Sequence, residues 1–211
     1  MAVLSIRMIG DPILRTPAAE VTEFGPELAR LVEDMTETMI DVQGAGLAAP
    51  QVGIGLQVFT YRVDGVQGHV VNPVLEVGGA SQGESDIEGC LSVPGLGSFV
   101  DRSDWARITG KDVSGQDIAV EGEGMLARAF QHETDHLRGT LYIDRLSGED
   151  RTNALRAIRS ADYNQVTSRT AVERSRSLGS SFTRPATPAT PATPATPVAG
   201  RRAGAAGRTG R

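Results

Sequence analysis

Two of the chain's three histidines stand four residues apart, in His132-Glu133-Thr134-Asp135-His136. On an α-helix with His132 at zero, His136 falls at about 40° and Glu133 at about 100°, so both imidazoles and the carboxylate project from one side. Two imidazoles one turn apart can grip one metal ion, and a glutamate beside them can reach water bound to that ion. The bland alternative is a charged helix with incidental histidines. It is the weaker reading, because Leu126, Ala129 and Phe130 beside the motif suggest a buried helix, where carboxylates are costly unless employed.

A catalytic site of this kind needs a third protein ligand and an open position. The longer pattern HExxHxxGxxH fits at Gly139 but has Tyr142 where the last imidazole belongs. His69 stands alone in a strand-like run and reads as a surface or edge residue. Glu149 and Asp150 have helix-start chemistry and are better explained as caps. Cys90 remains, in Glu88-Gly89-Cys90-Leu91-Ser92-Val93-Pro94, where Gly and Pro impose a fixed backbone. A lone cysteine is most often a small buried hydrophobe, yet here it is the softest donor available to a two-histidine site. A third segment, 44–53 (GAGLAAPQVG), joins one amide, Gln51, to small residues that permit close approach of a ligand. By itself it reads as a helix end and loop.

These residues need elements to position them. Pro26 and Glu27 open a helical run with Leu28, Leu31, Val32, Met35, Met39 and Ile40 at helical spacing, and Gly44 follows its last turn. Residues 56–63, 69–77, 105–113 and 117–121 read as strands separated by Gly/Asp turns. A second helix over 124–139 carries the histidines, TLYID after it reads as another strand, and 150–163 reads as a third helix. Strands flanked by helices without regular βαβ alternation argue for an α+β fold.

Taken together and in order, GLAAPQ at 46–51, EGCLSVP at 88–94 and HETDHLRG at 132–139 resemble the three signature motifs of the peptide deformylases. The resemblance extends to GDPILRTPAAEV near the N-terminus and covers roughly residues 3–160. It implies mixed or antiparallel β-sheets around a central helix carrying HExxH. It implies Cys90, His132 and His136 as metal ligands and Glu133 as general acid/base. Gln51 and the Leu91 backbone N–H would form the oxyanion hole, Gly46 would hydrogen-bond the substrate backbone, and Glu88 with Arg102 would support the cysteine loop. The implied metal is Fe(2+), with Zn(2+), Ni(2+) or Co(2+) as substitutes. The implied reaction removes the N-formyl group from formyl-methionyl nascent peptides. Two positions depart from the family pattern: Ala45 stands where Ile or Val is usual, and Gly95-Leu96-Gly97-Ser98 replaces bulkier or basic side chains.

Composition bounds the rest. The 211 residues suggest one domain plus extra length. The single cysteine rules out an intramolecular disulfide framework. No apolar run spans a bilayer, and the N-terminus lacks signal-peptide form, so the chain reads as cytoplasmic, with no membrane partner. Its net charge of −5 divides into −12 over 1–167 and +7 beyond. An acidic globule argues against specific nucleic-acid binding, whose affinity comes from phosphate neutralisation. Residues 185–197 read PATPATPATPATP and an Arg-rich stretch follows, so 1–167 is expected to be the catalytic domain and 168–211 a disordered tail. A chain ending near Thr167 is then expected to keep fold and activity, and the basic tail could contact the ribosome transiently. The enzyme is expected to be a monomer. Two competitors have discriminating features: an HExxH metallopeptidase needs a His or Glu third ligand, and a structural metal module needs a fourth protein ligand and no Glu133.

Overall fold

The computed structural model describes residues 2–83 and 86–180. Helix α1 (Pro26–Asp41) leads into β1 (Gly46–Ala48), a 3-10 turn (Ala49–Val52), β2 (Val58–Val63) and the long β3 (Val66–Ser81). Then come β4 (Ile87–Cys90), β5 (Val93–Phe99), β6 (Ser103–Lys111), β7 (Asp117–Glu123) and α2 (Gly124–Leu137). A 3-10 turn (Tyr142–Asp144), α3 (Gly148–Ile158) and α4 (Ala161–Ser180) complete the described chain. Strands β1-β2-β3-β6-β7 form one antiparallel sheet in that order, and β4 with β5 forms a separate hairpin. The architecture is α+β, as expected.

Helix α1 buries Leu28, Val32, Met35 and Met39 along one stripe against Leu47, Val58 and Val71 of the sheet. Helix α2 lays Ala127, Phe130 and Leu137 on Phe59, Tyr61, Val70 and Ile108, with the Tyr61 and Phe130 rings edge-on at 5.1 Å. Truncating a fully buried phenylalanine such as Phe130 typically removes about 3–5 kcal/mol. The helix ends at Gly139, whose φ of 71° suits glycine and where a Cβ would lie 2.7 Å from the Arg15 carbonyl carbon. A third cluster, with Leu14, Val93, Val100, Leu141, Tyr142, Ile143 and Tyr163, lies beneath the β4–β5 hairpin.

Four sequence expectations change. TLYID forms a 3-10 turn rather than a strand, because the Leu141 N–H bonds the Asp144 carboxylate at 2.8 Å while Tyr142 and Ile143 sink into the third cluster. The helix expected over 150–163 is two helices that break at Ser160, whose hydroxyl accepts from the Tyr163 N–H at 3.3 Å. His69 lies on β3, an interior strand, half-buried and accepting from the Val113 N–H at 3.2 Å; it is no edge residue and is not among the clustered ligand atoms. The expected boundary after 167 falls inside α4. Tyr163 is buried in the third cluster and Val166 lies against Gly95, so the start of α4 is tied to the hairpin. Its continuation, 168–180, is rich in Arg and Ser, and arginine supports a helix without displaying apolar periodicity. Residues 181–211, the rest of the expected tail, lie outside the described residues. Among the described residues, no helix is long and apolar enough to cross a membrane.

Candidate active site

Helix α2 delivers three side chains to one place. His132 and His136, one turn apart, bring their Nε2 atoms to 3.2 Å of each other. The β4–β5 hairpin supplies the third. Its register shifts between Gly89 and Cys90, so that Cys90 pairs with Val93 and Leu91-Ser92 forms the turn. Cys90 Sγ then stands 3.3 Å from His136 Nε2, and one donor atom from each of the three residues lies within 4.8 Å of the others. One tetrahedral ion with nitrogen and thiolate ligands needs separations of about 3.3–3.6 Å between those atoms. The donor set fits a divalent transition metal. The longer HExxHxxGxxH pattern is not met, since Tyr142, at the place of its last imidazole, is buried in the core below.

His132 is itself held. Glu88 Oε1 lies 2.7 Å from His132 Nδ1, leaving Nε2 for the metal side. The same carboxylate accepts from Arg102 Nη2 at 2.7 Å and Nε at 3.0 Å, and from Arg128 Nη1 at 3.2 Å. Arg102 also donates to Asp135 at 2.8 Å, and Arg145 closes the chain on Asp135. Burial alone would raise the Glu88 carboxyl, but the bonds from His132 and Arg102 overcome it and hold it at about 2. Burial would likewise raise the Cys90 thiol, but the flanking imidazoles bring it well below its usual value, favouring thiolate.

Glu133 behaves in the opposite way. It is buried, and its Oε2 has no hydrogen-bond partner among the described residues. Burial lifts its carboxyl to about 7 against the pull of His132 and His136. Its carboxylate packs on Gly46 so closely that any Cβ at 46 would overlap it. That contact ties β1 to α2. β1 is an edge strand of the sheet and, among the described residues, pairs with β2 alone. Beside it, Gln51 is turned by a bond from the Ala48 N–H to its Oε1 at 2.8 Å, leaving Nε2 at 3.7 Å from Cys90 Sγ.

These groups line a cavity of about 450 Å³, with Ala45, Gly46, Gln51, Leu91, Leu96, Met125, His132 and Glu133 in its walls. Of the residues singled out from the sequence, Gly46, Gln51, Glu88, Cys90, Leu91, His132 and Glu133 line this cavity, while His136 joins them through Cys90 and His132 and Arg102 through Glu88. Sequence reasoning missed Arg128, Asp135 and Arg145, which complete the buried ion network, and Arg174 of α4, which reaches the cavity wall. Arg128 carried a signal, since it stands four residues before His132 on the same helix face. Arg174 carried none.

A family description, polypeptide deformylase, matches residues 3–152. A peptide deformylase of Acidothermus cellulolyticus is 52% identical over 163 residues, spanning 77% of this chain and 89% of that protein. Peptide deformylase 2 of Streptomyces coelicolor is 45% identical over 164 residues, spanning 75% and 90%. Among solved structures, the peptide deformylase of Thermus thermophilus superposes with a TM-score of 0.71 at 39% identity, covering 82% of this chain and 99% of its own. That of Legionella pneumophila gives 0.72 at 35% identity, covering 80% and 99%.

Proposed function

This chain belongs to the peptide deformylase family, and from that premise we propose how its residues divide the removal of an N-formyl group from nascent polypeptides. The observation that carries the reading is the convergence of Cys90, His132 and His136 donor atoms beside a buried Glu133 with an unpartnered oxygen. Cys90, His132 and His136 hold the metal on which the family depends. Fe(2+) suits one thiolate with two imidazoles, and Zn(2+), Ni(2+) or Co(2+) can replace it. When bound, the ion supplies the Lewis acidity that makes water nucleophilic near neutral pH.

The chain's own groups do the rest. The edge of β1 at Gly46 pairs with the extended peptide backbone and lays the formyl end over the ligands. Glu133, lifted to about 7, takes the proton of the attacking water and returns it to the leaving amine, which then departs with formate as the other product. The Leu91 N–H and the Gln51 amide face the formyl oxygen as negative charge gathers there, about 2.7–4 kcal/mol for one such donor. Glu88 fixes the His132 ring, and Arg102 and Arg128 fix Glu88.

On this reading the enzyme acts as a monomer, and in the cytoplasm, where nascent chains appear and a lone thiolate stays reduced. The +7 carried beyond residue 167 supports brief, salt-screened contact with the ribosome. The deciding experiment is metal content together with deformylation of a formyl-Met-Ala-Ser peptide after anaerobic purification. One equivalent of metal and release of formate are expected. A Cys90→Ala protein that keeps its metal would overturn the ligand set and favour a peptidase with another third ligand.

A further inference from the structure

Arg174 lies 84 residues from Cys90 in sequence, yet α4 brings it to the same cavity. Its Nη1 donates to the Leu91 carbonyl oxygen at 3.0 Å. The other end of that peptide unit is the Ser92 N–H, which donates to Cys90 Sγ at 3.4 Å. One peptide plane thus stands between a guanidinium and the sulfur. A hydrogen bond accepted by a carbonyl polarises its amide and strengthens the N–H as a donor, and a charged donor does this more strongly than a neutral one. The strand that follows the turn carries Gly95 and Gly97. Those two positions offer no side chain to hold the Leu91 carbonyl.

We infer that Arg174 is a positioning residue of the active site: by holding the Leu91 carbonyl it orients the Leu91-Ser92 peptide and strengthens the hydrogen bond from Ser92 to the Cys90 sulfur. It acts through a peptide group, touching neither metal nor substrate. Two consequences follow from the geometry. The sulfur donates less charge to a bound metal when its hydrogen bond is strong, and the Leu91 N–H keeps its aim at the formyl oxygen when the turn is fixed. The inference rests on Cys90 being a ligand, as proposed above.

The test uses the full chain loaded with cobalt(II), comparing wild type with Arg174→Met, Arg174→Lys and, as a control elsewhere on α4, the exposed Val172→Ala. Three quantities are read: the thiolate-to-cobalt charge-transfer band, kcat and KM on formyl-Met-Ala-Ser, and the melting temperature. Arg174→Met should move the band to longer wavelength and lower kcat roughly tenfold, the lower range for groups that support a ligand. KM should hold within about twofold, because no substrate contact is removed. Arg174→Lys, which keeps a charged donor on the same helix, should restore most of both, and Val172→Ala should change neither. An unmoved band and kcat in Arg174→Met overturn the inference. So does a raised KM at unchanged kcat, which would make Arg174 a substrate contact. Equal defects in the Met and Lys variants, both with lowered melting temperatures, would reduce Arg174 to a packing role and overturn it as well. Absence of the band in wild type overturns the ligand assignment itself, and this inference with it.

Discussion

Helices α2 and α4 both reach the metal cavity, and they are held there in opposite ways. Ten of the fourteen residues of α2 are buried, so aromatic packing on one side and the Glu88–Arg102–Asp135 network on the other fix every side chain that carries chemistry. Along 161–174 of α4 only Tyr163 is buried. Within that stretch, Val166 meets Gly95 of the hairpin and Arg174 the Leu91 carbonyl. The difference teaches where precision comes from. Ligands need placement to fractions of an ångström, and only saturated packing over-determines a position to that degree. A supporting contact can come from a loosely held element, because it acts on one hydrogen bond at a time.

The sharpest way to break the contrast is on α2. His132→Ala or His136→Ala should abolish metal binding and turnover together, as metal analysis and a formate-release assay would record. Glu133→Gln should keep the full metal content while turnover falls by about 10²–10⁴, the usual worth of a positioned acid/base. Substantial activity in that variant would remove Glu133 from the proton path. The network behind the ligands should answer in stability. Glu88→Ala leaves Arg128 without a carboxylate and Arg102 with Asp135 alone in a buried site, a loss of about 3–5 kcal/mol readable by thermal melting. A small shift would mean that water enters and solvates the arginines.

The other helix should respond more gently. A chain ending at Thr167 keeps Tyr163 and Val166 but loses Arg174, so its melting temperature should change little while kcat falls by roughly the tenfold of a lost supporting group. A chain ending at Ser180 should match the full protein on short peptides. If both shortened chains behaved alike, α4 would have no part in the site beyond Val166. The smallest effect lies outside the cavity. Burial lowers the pKa of His69, opposed by Asp112, so its charged form is disfavoured in the folded state. Stability from neutral His69 is complete above its unfolded pKa of about 6.5 and declines as pH falls through that value. His69→Gln should flatten this slope in melts between about pH 7.5 and 5.5.

Legibility in the sequence followed the range of the interactions. The histidine pair was readable because helical geometry fixes i and i+4 without any tertiary contact. α1 was readable from its apolar stripe and Pro26, and the sheet strands from alternation and turns. Cys90 was visible only by elimination and by the motif around it, since nothing local says that a residue 42 positions before His132 will stand beside it. TLYID misled because β-branched and aromatic residues score as strand whether they are paired in a ladder or sunk in a core. The 150–163 region misled because a single serine breaks it. Arg174 was invisible, for an arginine in a polar, Arg- and Ser-rich stretch looks like any solvated charge.

What the sequence determined by itself is the donor chemistry: two imidazoles and a carboxylate on one helix, one thiol, one small-residue segment with an amide, and an order of motifs that names a family. Those are matters of residue type and short spacing. Tertiary structure alone decided which oxygen of Glu88 meets His132, that burial lifts Glu133 to about 7 while hydrogen bonds hold Glu88 at about 2, and that α4 returns to the Leu91 turn. These depend on desolvation and on contacts between distant segments, and both exist only once the chain has closed around its core.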